Sequence, residues 1–331
     1  MKAGEDRLVR KITQALAFRG HSGLALGVGD DAALLQPRPG RQLVLTCDWF
    51  LEGSHFLRDK HPPDSIGWKC LARAVSDVAA MGGEPQYFLL SLALPETHTG
   101  KWVGGFLRGL ARAERRLHCW LAGGDTTRNN KILITVTVIG DVPAGRAVLR
   151  SGARPGDLIF VSGRLGEAEV GLRSLRSGRR VIQGNSSGWL KKHLYPEPRL
   201  ALGRWLAGKR LAAAMMDLSD GLSTDLTRLC AASRVGARIA IDKIPKVDLP
   251  KKKGRTVPGL TDLALTELAL HGGDDYELLF TVRPKQAGAV PSAFQGLPLS
   301  CIGEITRERQ LMLTGPEGLE EQLVAHGWDP F

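Results

Sequence analysis

Carboxylates crowd into glycine-flanked turns at four places in this chain: Gly27-Val28-Gly29-Asp30-Asp31, Gly123-Gly124-Asp125-Thr126-Thr127, Asp217-Leu218-Ser219-Asp220-Gly221 and Gly272-Gly273-Asp274-Asp275. Two single acids join them: Asp48 at the end of an apolar run, and Asp77 inside an Ala-rich helical pattern. Like charges on tight turns repel, so a fold that gathers them needs divalent cations to neutralise them. Mg²⁺ takes one or two carboxylates and completes its shell with water and substrate phosphates. The pattern therefore points to phosphate chemistry on magnesium.

A chain of 331 residues has room for two cores. A Gly-, Pro- and Arg-rich stretch at 143–155 reads as the connection, which divides the chain into 1–142 and 143–331. Both halves mix strand and helix patterns, so each is α/β or α+β. No apolar run approaches the roughly 18 residues of a membrane span. The first twenty residues form a charged amphipathic pattern with Leu8, Ile12 and Leu16 and lack a signal-peptide core, so a cytoplasmic location and no membrane partner are expected. The formal net charge is +11, but the basic runs at 176–180, 191–192 and 251–255 carry no interleaved aromatics, which argues against nucleic acid as a partner. Cys47, Cys70, Cys119, Cys230 and Cys301 are scattered, without C-x-x-C spacing, and read as buried thiols, not as a zinc site or a disulfide framework.

The apolar periodicities predict helices over 5–19, 64–81 (capped by Asp64) and 101–117. Strands are predicted over 43–47 with Asp48 at its end, 87–94, 132–139, and 119–122 with Gly123 to Asp125 just beyond it. In the second half the pattern predicts strands over 158–161, 213–216, 237–241, 276–282 and 299–305. Helices are predicted over 167–175, 222–232 and 261–270, with a polar loop over 177–192.

Motifs that are missing narrow the chemistry. The chain has no G-x-x-x-x-G-K-[ST] loop, no protein-kinase glycine loop, no G-x-S-x-G elbow and no H-E-x-x-H. The Gly27 to Asp31 run superficially suggests a dinucleotide fingerprint, but no βαβ unit surrounds it and acids sit where phosphates would approach. Taken singly, each acid also has a structural reading. Asp77 can pair with Arg73 four residues earlier, Asp125 can cap its own turn, and Ser219 can cap the helix that begins near Leu222. His55 can be an ordinary surface or core histidine. Arg150 is either a solvated linker charge or a bidentate phosphate partner.

Seven segments in this order, GVGDDAALL, CDWFLEGSHF, ARAVSDVAAMGGEP, LAGGDTTR, LRSGARPGD, DLSDGLSTDL and GGDDYELLFTV, resemble the thiamine-monophosphate kinases. That family belongs to the superfamily of aminoimidazole ribonucleotide synthetase and selenophosphate synthetase. The resemblance runs from about residue 5 to the C-terminus. It implies a two-domain aminoimidazole ribonucleotide synthetase-like fold. An N-terminal ATP- and Mg-binding dimerisation domain would pair its sheet across a homodimer, and a C-terminal α/β domain would follow. It implies direct in-line transfer of the γ-phosphoryl of ATP onto thiamine monophosphate, with several Mg²⁺ ions and no catalytic base or nucleophile. Carried onto this chain, the metal ligands are Asp30, Thr46, Cys47 (through its backbone), Asp48, Asp77, Asp125, Asp217 and Asp220. ATP would meet Gly124, Asp125, Arg150 and Ser219, and the acceptor would meet His55 and Asp274. The chain departs from the family pattern in Thr46-Cys47-Asp48, where Ser-Thr-Asp is common, and in Asp274, where Glu is usual. Two other readings stay open: a cyclo-ligase-like ATP-dependent enzyme of the same superfamily, and a non-catalytic Mg–nucleotide-binding module.

Overall fold

The computed structural model describes residues 3–16, 23–28, 32–177, 186–248, 261–315 and 317–329. It divides into two compact units, Met1–Val78 with Gly83–Gly145, and Ala79–Gly82 with Arg146–Phe331.

Unit 1 begins with α1 (Ala3–Ala15), which buries Leu8 and Ile12. A short ribbon of β1 (Leu24–Leu26) and β2 (Leu34–Leu35) follows. The main sheet is built from β3 (Arg41–Leu51), β4 (Glu84–Leu94), β5 (Trp120–Arg128) and β6 (Leu133–Pro143), with α2 (Pro63–Ala80) and α3 (Lys101–Leu117) as its helices. Its strand order is β3-β6-β4-β5, with β5 parallel to β4 and the other pairs antiparallel. Register places Val44, Thr46, Asp48 and Phe50 on one face, level with Val138, Val136 and Ile134 of β6 and with Phe88, Leu90 and Leu92 of β4. That face is the buried one. Alternation turns Leu43, Leu45, Cys47 and Trp49 to the opposite face, where all four are exposed.

Unit 2 contains β7 (Leu158–Ser162), α4 (Glu167–Ser177), α5 (Ser186–Leu194), α6 (Leu200–Gly208), β8 (Ala212–Leu218), α7 (Leu222–Ser233), β9 (Gly236–Ala240) and α8 (Asp262–His271). It ends with β10 (Glu277–Val282), β11 (Ala293–Phe294), β12 (Leu297–Thr306), β13 (Leu311–Thr314) and β14 (Glu320–Gln322). The sheet runs β14-β13-β9-β12-β7-β10-β8, with β11 added to β12. Its strand β10 is buried at every position. Leu279 belongs to a core with Leu222, Leu226 and Leu229 of α7, whereas Leu278 and Phe280 belong to a second core with Leu202 and Leu206 of α6. A strand covered on both faces reads as a continuous apolar run, which is the form of Leu278 to Phe280.

The structure corrects several sequence expectations. Asp48 lies inside β3, not at its end, because β3 pairs with β6 along all eleven residues. Gly123 to Asp125 lie within β5, where one irregularity opposite Phe88 and Leu89 restores pairing to Arg128. The end of the expected loop, Ser186–Leu194, is the helix α5. Residues 178–185 lie outside the described residues, as do 17–19 of the first expected helix. Gly221, not Ser219, occupies the N-cap position of α7. Cys70, Cys119 and Cys230 are buried thiols, but Cys47 is exposed.

Glu114, near the end of α3, is buried and accepts the Leu121 N–H at 2.9 Å, which fixes the turn into β5. Burial pushes its carboxyl up to about 7, against the partial relief of that N–H and of Arg115. An acid raised in the folded state contributes stability below its unfolded value of 4.5, and loses that contribution as pH rises through about 7. Glu114→Gln keeps the acceptor oxygen without the charge. Urea denaturation should therefore show the variant equal to the unmodified chain near pH 4.5. Near pH 8 it should be more stable by about 1–3 kcal/mol.

Candidate active site

Two periodicities match in unit 1. Side chains two apart on one face of a strand lie about 6.7 Å apart, and residues four apart on a helix rise about 6 Å. Thr46 and Asp48 on β3 therefore meet Asp77 and Arg73 on α2, one against one. The Thr46 hydroxyl donates to Asp77, and Arg73 Nε donates to Asp48 Oδ2 at 3.2 Å. The Arg73 guanidinium also lies 5.5 Å from the centre of the Phe50 ring, the next residue on that face. Arg73 thus forms an ion pair with Asp48 across the two elements. Cys47 points the other way, and its sulfur accepts the Thr137 hydroxyl at 3.4 Å.

His55 sits in the turn after β3, where its Nδ1 accepts the Leu51 N–H at 3.0 Å. That bond leaves the neutral ring's proton on Nε2. Its ring centre is 5.9 Å from that of Phe50.

Asp125 is exposed on β5, where its own carboxylate accepts the Thr126 N–H at 2.9 Å. The preceding Gly124 has φ of 155°, and a Cβ there would lie 1.9 Å from the Leu90 carbonyl oxygen. Only glycine permits that approach of β5 to β4. Gly124, Asp125 and Thr126 line a cleft of about 140 Å³ with Val9, Ile12 and Thr13 of α1. Asp48 and Asp125 lie on strands three spacings apart in the sheet, or about 14 Å. The acids of unit 1 therefore fall into two groups, one on each edge strand and its neighbourhood. Asp30 lies outside the described residues.

In unit 2 the loop from Asp217 to Gly221 forms the centre of a backbone assembly. Asp217, next to the last residue of β8, is buried. The Ser219 carbonyl accepts the Asp274 N–H at 2.8 Å, and the Leu218 carbonyl accepts the Tyr276 N–H at 2.9 Å. On the other side the Asp220 carbonyl accepts the Trp328 N–H at 3.0 Å. The adjacent Gly327 passes so close that a Cβ would lie 2.0 Å from the same carbonyl oxygen. Buried Asp225 completes the loop by accepting the N–H groups of Ser219 and Asp220, each at 3.0 Å. Burial raises its carboxyl to about 6, with the charge of Asp220 adding to the shift. Arg228, one turn along α7, donates to both Asp225 and Asp220. Neither Asp225 nor Arg228 was among the sequence candidates; the signal for the first was the third acid of DLSDGLSTDL.

The Gly272–Asp275 cluster divides its labour. The side chain of Asp274 is about a third exposed, and its oxygens face Tyr276 and His193. Asp275 is turned inward and accepts the N–H groups of Gly166 at 2.5 Å and Ala168 at 3.1 Å, at the start of α4. Arg150 opens a short 3₁₀ turn, exposed, with its carbonyl accepting the Ser233 hydroxyl at 2.7 Å.

Among the described residues, no group of three or more His, Cys, Asp or Glu side chains is gathered tightly enough to hold a metal alone. No helix among them is long and apolar enough to cross a membrane.

Residues 29–142 match the N-terminal domain of AIR synthase related proteins, and residues 154–315 match the C-terminal domain. The chain is 37% identical to the thiamine-monophosphate kinase of Salmonella typhimurium over 308 residues, covering 92% of this chain and 91% of that protein. The thiamine-monophosphate kinase of Bacillus subtilis is 35% identical over 303 residues, with coverages of 89% and 90%. The crystal structure of thiamine-monophosphate kinase from Stenotrophomonas maltophilia superposes with a TM-score of 0.79 at 36% identity, covering 93% of this chain and 94% of that one. On this evidence the chain belongs to the thiamine-monophosphate kinase family, built from the two domains of AIR synthase related proteins.

Proposed function

We propose that this protein is an ATP-dependent kinase that phosphorylates thiamine monophosphate to thiamine diphosphate. One observation carries the reading. A solved relative described as AaThiL complexed with AMPPCP and TMP is 32% identical and aligns with 99% of this chain and 97% of its own, at a TM-score of 0.76. AMPPCP is an ATP analogue whose terminal phosphoryl cannot be transferred.

Both reactants are polyanions, so the barrier is largely the repulsion between attacking and transferred phosphate. The attacking oxygen of a phosphate monoester is already deprotonated near neutral pH. The acceptor oxygen forms the new O–P bond, the β–γ bridge breaks, and ADP leaves with the electron pair. No proton has to be removed by a side chain. Bound magnesium would neutralise phosphate charge and hold the reacting oxygens in line.

The donors fit magnesium in kind: Thr46, Asp48, Asp77, Asp125, Asp217 and Asp220 offer hard oxygens. Mg²⁺ needs only one or two carboxylates with water and phosphate oxygens, so a preassembled cluster is not required. We assign Asp48 and Asp77, with the Thr46 hydroxyl, to one such group, and Asp125 to another. Asp217 and Asp220 are assigned to unit 2's share, and Asp30 joins the set on the family pattern. Cys47 can contribute only its carbonyl. Arg150, exposed and charged, suits a phosphate, as do the Gly124 backbone and the Ser219 hydroxyl. His55 and Asp274 are assigned to the acceptor.

The open face of the unit 1 sheet is assigned to a second copy of the chain. Leu43, Leu45 and Trp49 are 52%, 65% and 58% exposed in one row on the edge strand β3. Such a row is an interaction surface in a soluble protein. A homodimer also supplies a second set of carboxylates to edges too far apart to share an ion.

Asp48→Asn and Asp77→Asn should each lower kcat about 100- to 1000-fold in an assay of thiamine diphosphate, and raise the magnesium concentration needed for half-maximal rate. Normal turnover and magnesium dependence in both would remove the metal assignment. A Leu45→Asp, Trp49→Glu double variant should sediment as a monomer where the unmodified chain sediments as a dimer. Unchanged sedimentation would show that this face is not the interface.

A further inference from the structure

The segment from Asp274 to Tyr276 places two non-glycine residues in the left-handed region of the backbone. Asp274 has φ of 68° and Tyr276 has φ of 50°. Asp visits the left-handed region with some ease, but a bulky aromatic residue there is an outlier. Strain of this kind clusters where a side chain must be aimed. Its result here is a short loop that folds a tyrosine back on the acid two residues before it. The Tyr276 hydroxyl donates to Asp274 Oδ1 at 2.8 Å. The other oxygen, Oδ2, lies 3.8 Å from His193 Nδ1 on α5. Tyr276 and His193 are both buried, at 2% and 1% exposure, while the Asp274 side chain stays about a third open. A carboxylate's last torsion is broad and nearly two-fold. The Tyr276 hydroxyl anchors one oxygen and the buried His193 ring faces the other, which biases the carboxylate's plane before any ligand arrives.

From this arrangement we propose that Tyr276 and His193 are positioning residues, which aim the Asp274 carboxylate at the cationic heterocycle of the acceptor. The proposal rests on Asp274 being an acceptor contact. The thiazolium ring of thiamine monophosphate carries a fixed positive charge, and a carboxylate of preset orientation is its natural complement. A prefixed partner binds more tightly because less freedom is lost on binding. The same loop is hydrogen-bonded to the carbonyls of Leu218 and Ser219, so the aimed carboxylate is also held in register with the loop that carries Asp217 and Asp220.

The test compares Tyr276→Phe, His193→Ala, His193→Asn and Asp274→Ala in the full chain, each checked for an unchanged melting temperature. Two readouts are taken: steady-state kinetics, and calorimetric titration of thiamine monophosphate in the presence of Mg–AMPPCP, which does not depend on turnover. Tyr276→Phe removes one oxygen and should raise KM and Kd for thiamine monophosphate about five- to twentyfold, with kcat and the KM for ATP within about twofold. His193→Ala should act the same way, and His193→Asn, which keeps a donor near Nδ1, should recover part of the loss. In an Asp274→Ala background Tyr276→Phe should add nothing further. A Tyr276→Phe effect on kcat alone, or one that persists in full without Asp274, overturns the proposal. If Asp274→Ala binds and turns over thiamine monophosphate normally, the assignment of Asp274 and the proposal fall together while the kinase reading stands. Tight calorimetric binding without any thiamine diphosphate formed would instead count against the kinase reading. Should the His193 variants fail to fold, the Tyr276→Phe series decides by itself.

Discussion

A charge buried in unit 2 sets the position of much that surrounds it. Glu277 is fully buried at the start of β10. Burial alone would push its carboxyl up, but Lys192 and Arg199 outweigh that and hold it below the usual range. Arg199 donates to both of its oxygens at 2.7 and 2.5 Å, Lys192 donates at 3.0 Å, and the Ser162 hydroxyl donates at 2.6 Å. One carboxylate thus ties α5, the start of α6 and β7 to β10. A buried ion pair of this sort adds little net stability, but removing one member leaves the others uncompensated, at about 3–5 kcal/mol. The geometry it enforces is therefore specific. Lys192 neighbours His193 in sequence and Glu277 neighbours Tyr276, so the pair that faces Asp274 hangs directly from this hub.

Unit 1 solves a different problem. Its sheet must bury one face while presenting oxygen donors on it. The match between the strand repeat and the helix repeat lets Thr46 and Asp48 be half-buried against Asp77 and Arg73 without orphaned charge. Arg73 is fixed twice, by Asp48 and by the Phe50 ring. In unit 2 Arg228 does the same for Asp220 and Asp225. Each arginine stabilises a carboxylate that would otherwise repel its neighbours. On the proposed magnesium assignment, a divalent cation arriving with a nucleotide would have to share or displace that contact.

Much of this was legible in the chain itself. The helices came from apolar repeats such as Leu8 with Ile12. The acid motifs singled out the two loops that unit 2 joins by backbone hydrogen bonds. Two of the errors were of one kind. Asp48 and Gly123 read as strand ends because charge and glycine usually interrupt a strand. Here an edge strand tolerates a half-buried acid on one face, and glycine is what lets β5 approach β4. Asp225, Arg228 and Glu277 were not distinguished from ordinary helix and strand charges, since their importance comes from burial and from partners distant in sequence. Local pattern has no access to either.

The two departures from the family pattern become intelligible through backbone geometry. Strand alternation turns the side chain of Cys47 away from Thr46 and Asp48, onto the face where it meets Thr137. A hydroxyl in its place would point the same way, so exchanging it for a thiol leaves the donor set on the other face unchanged. Asp274 sits at φ of 68°, a conformation that Asp adopts several-fold more readily than most residues. Its short side chain is also what brings Oδ1 within 2.8 Å of the tyrosine two residues on. A longer acid would carry its carboxylate past that hydroxyl and would need a different anchor. The shorter acid and the backfolded tyrosine therefore form one unit, in which lost reach is exchanged for a fixed direction.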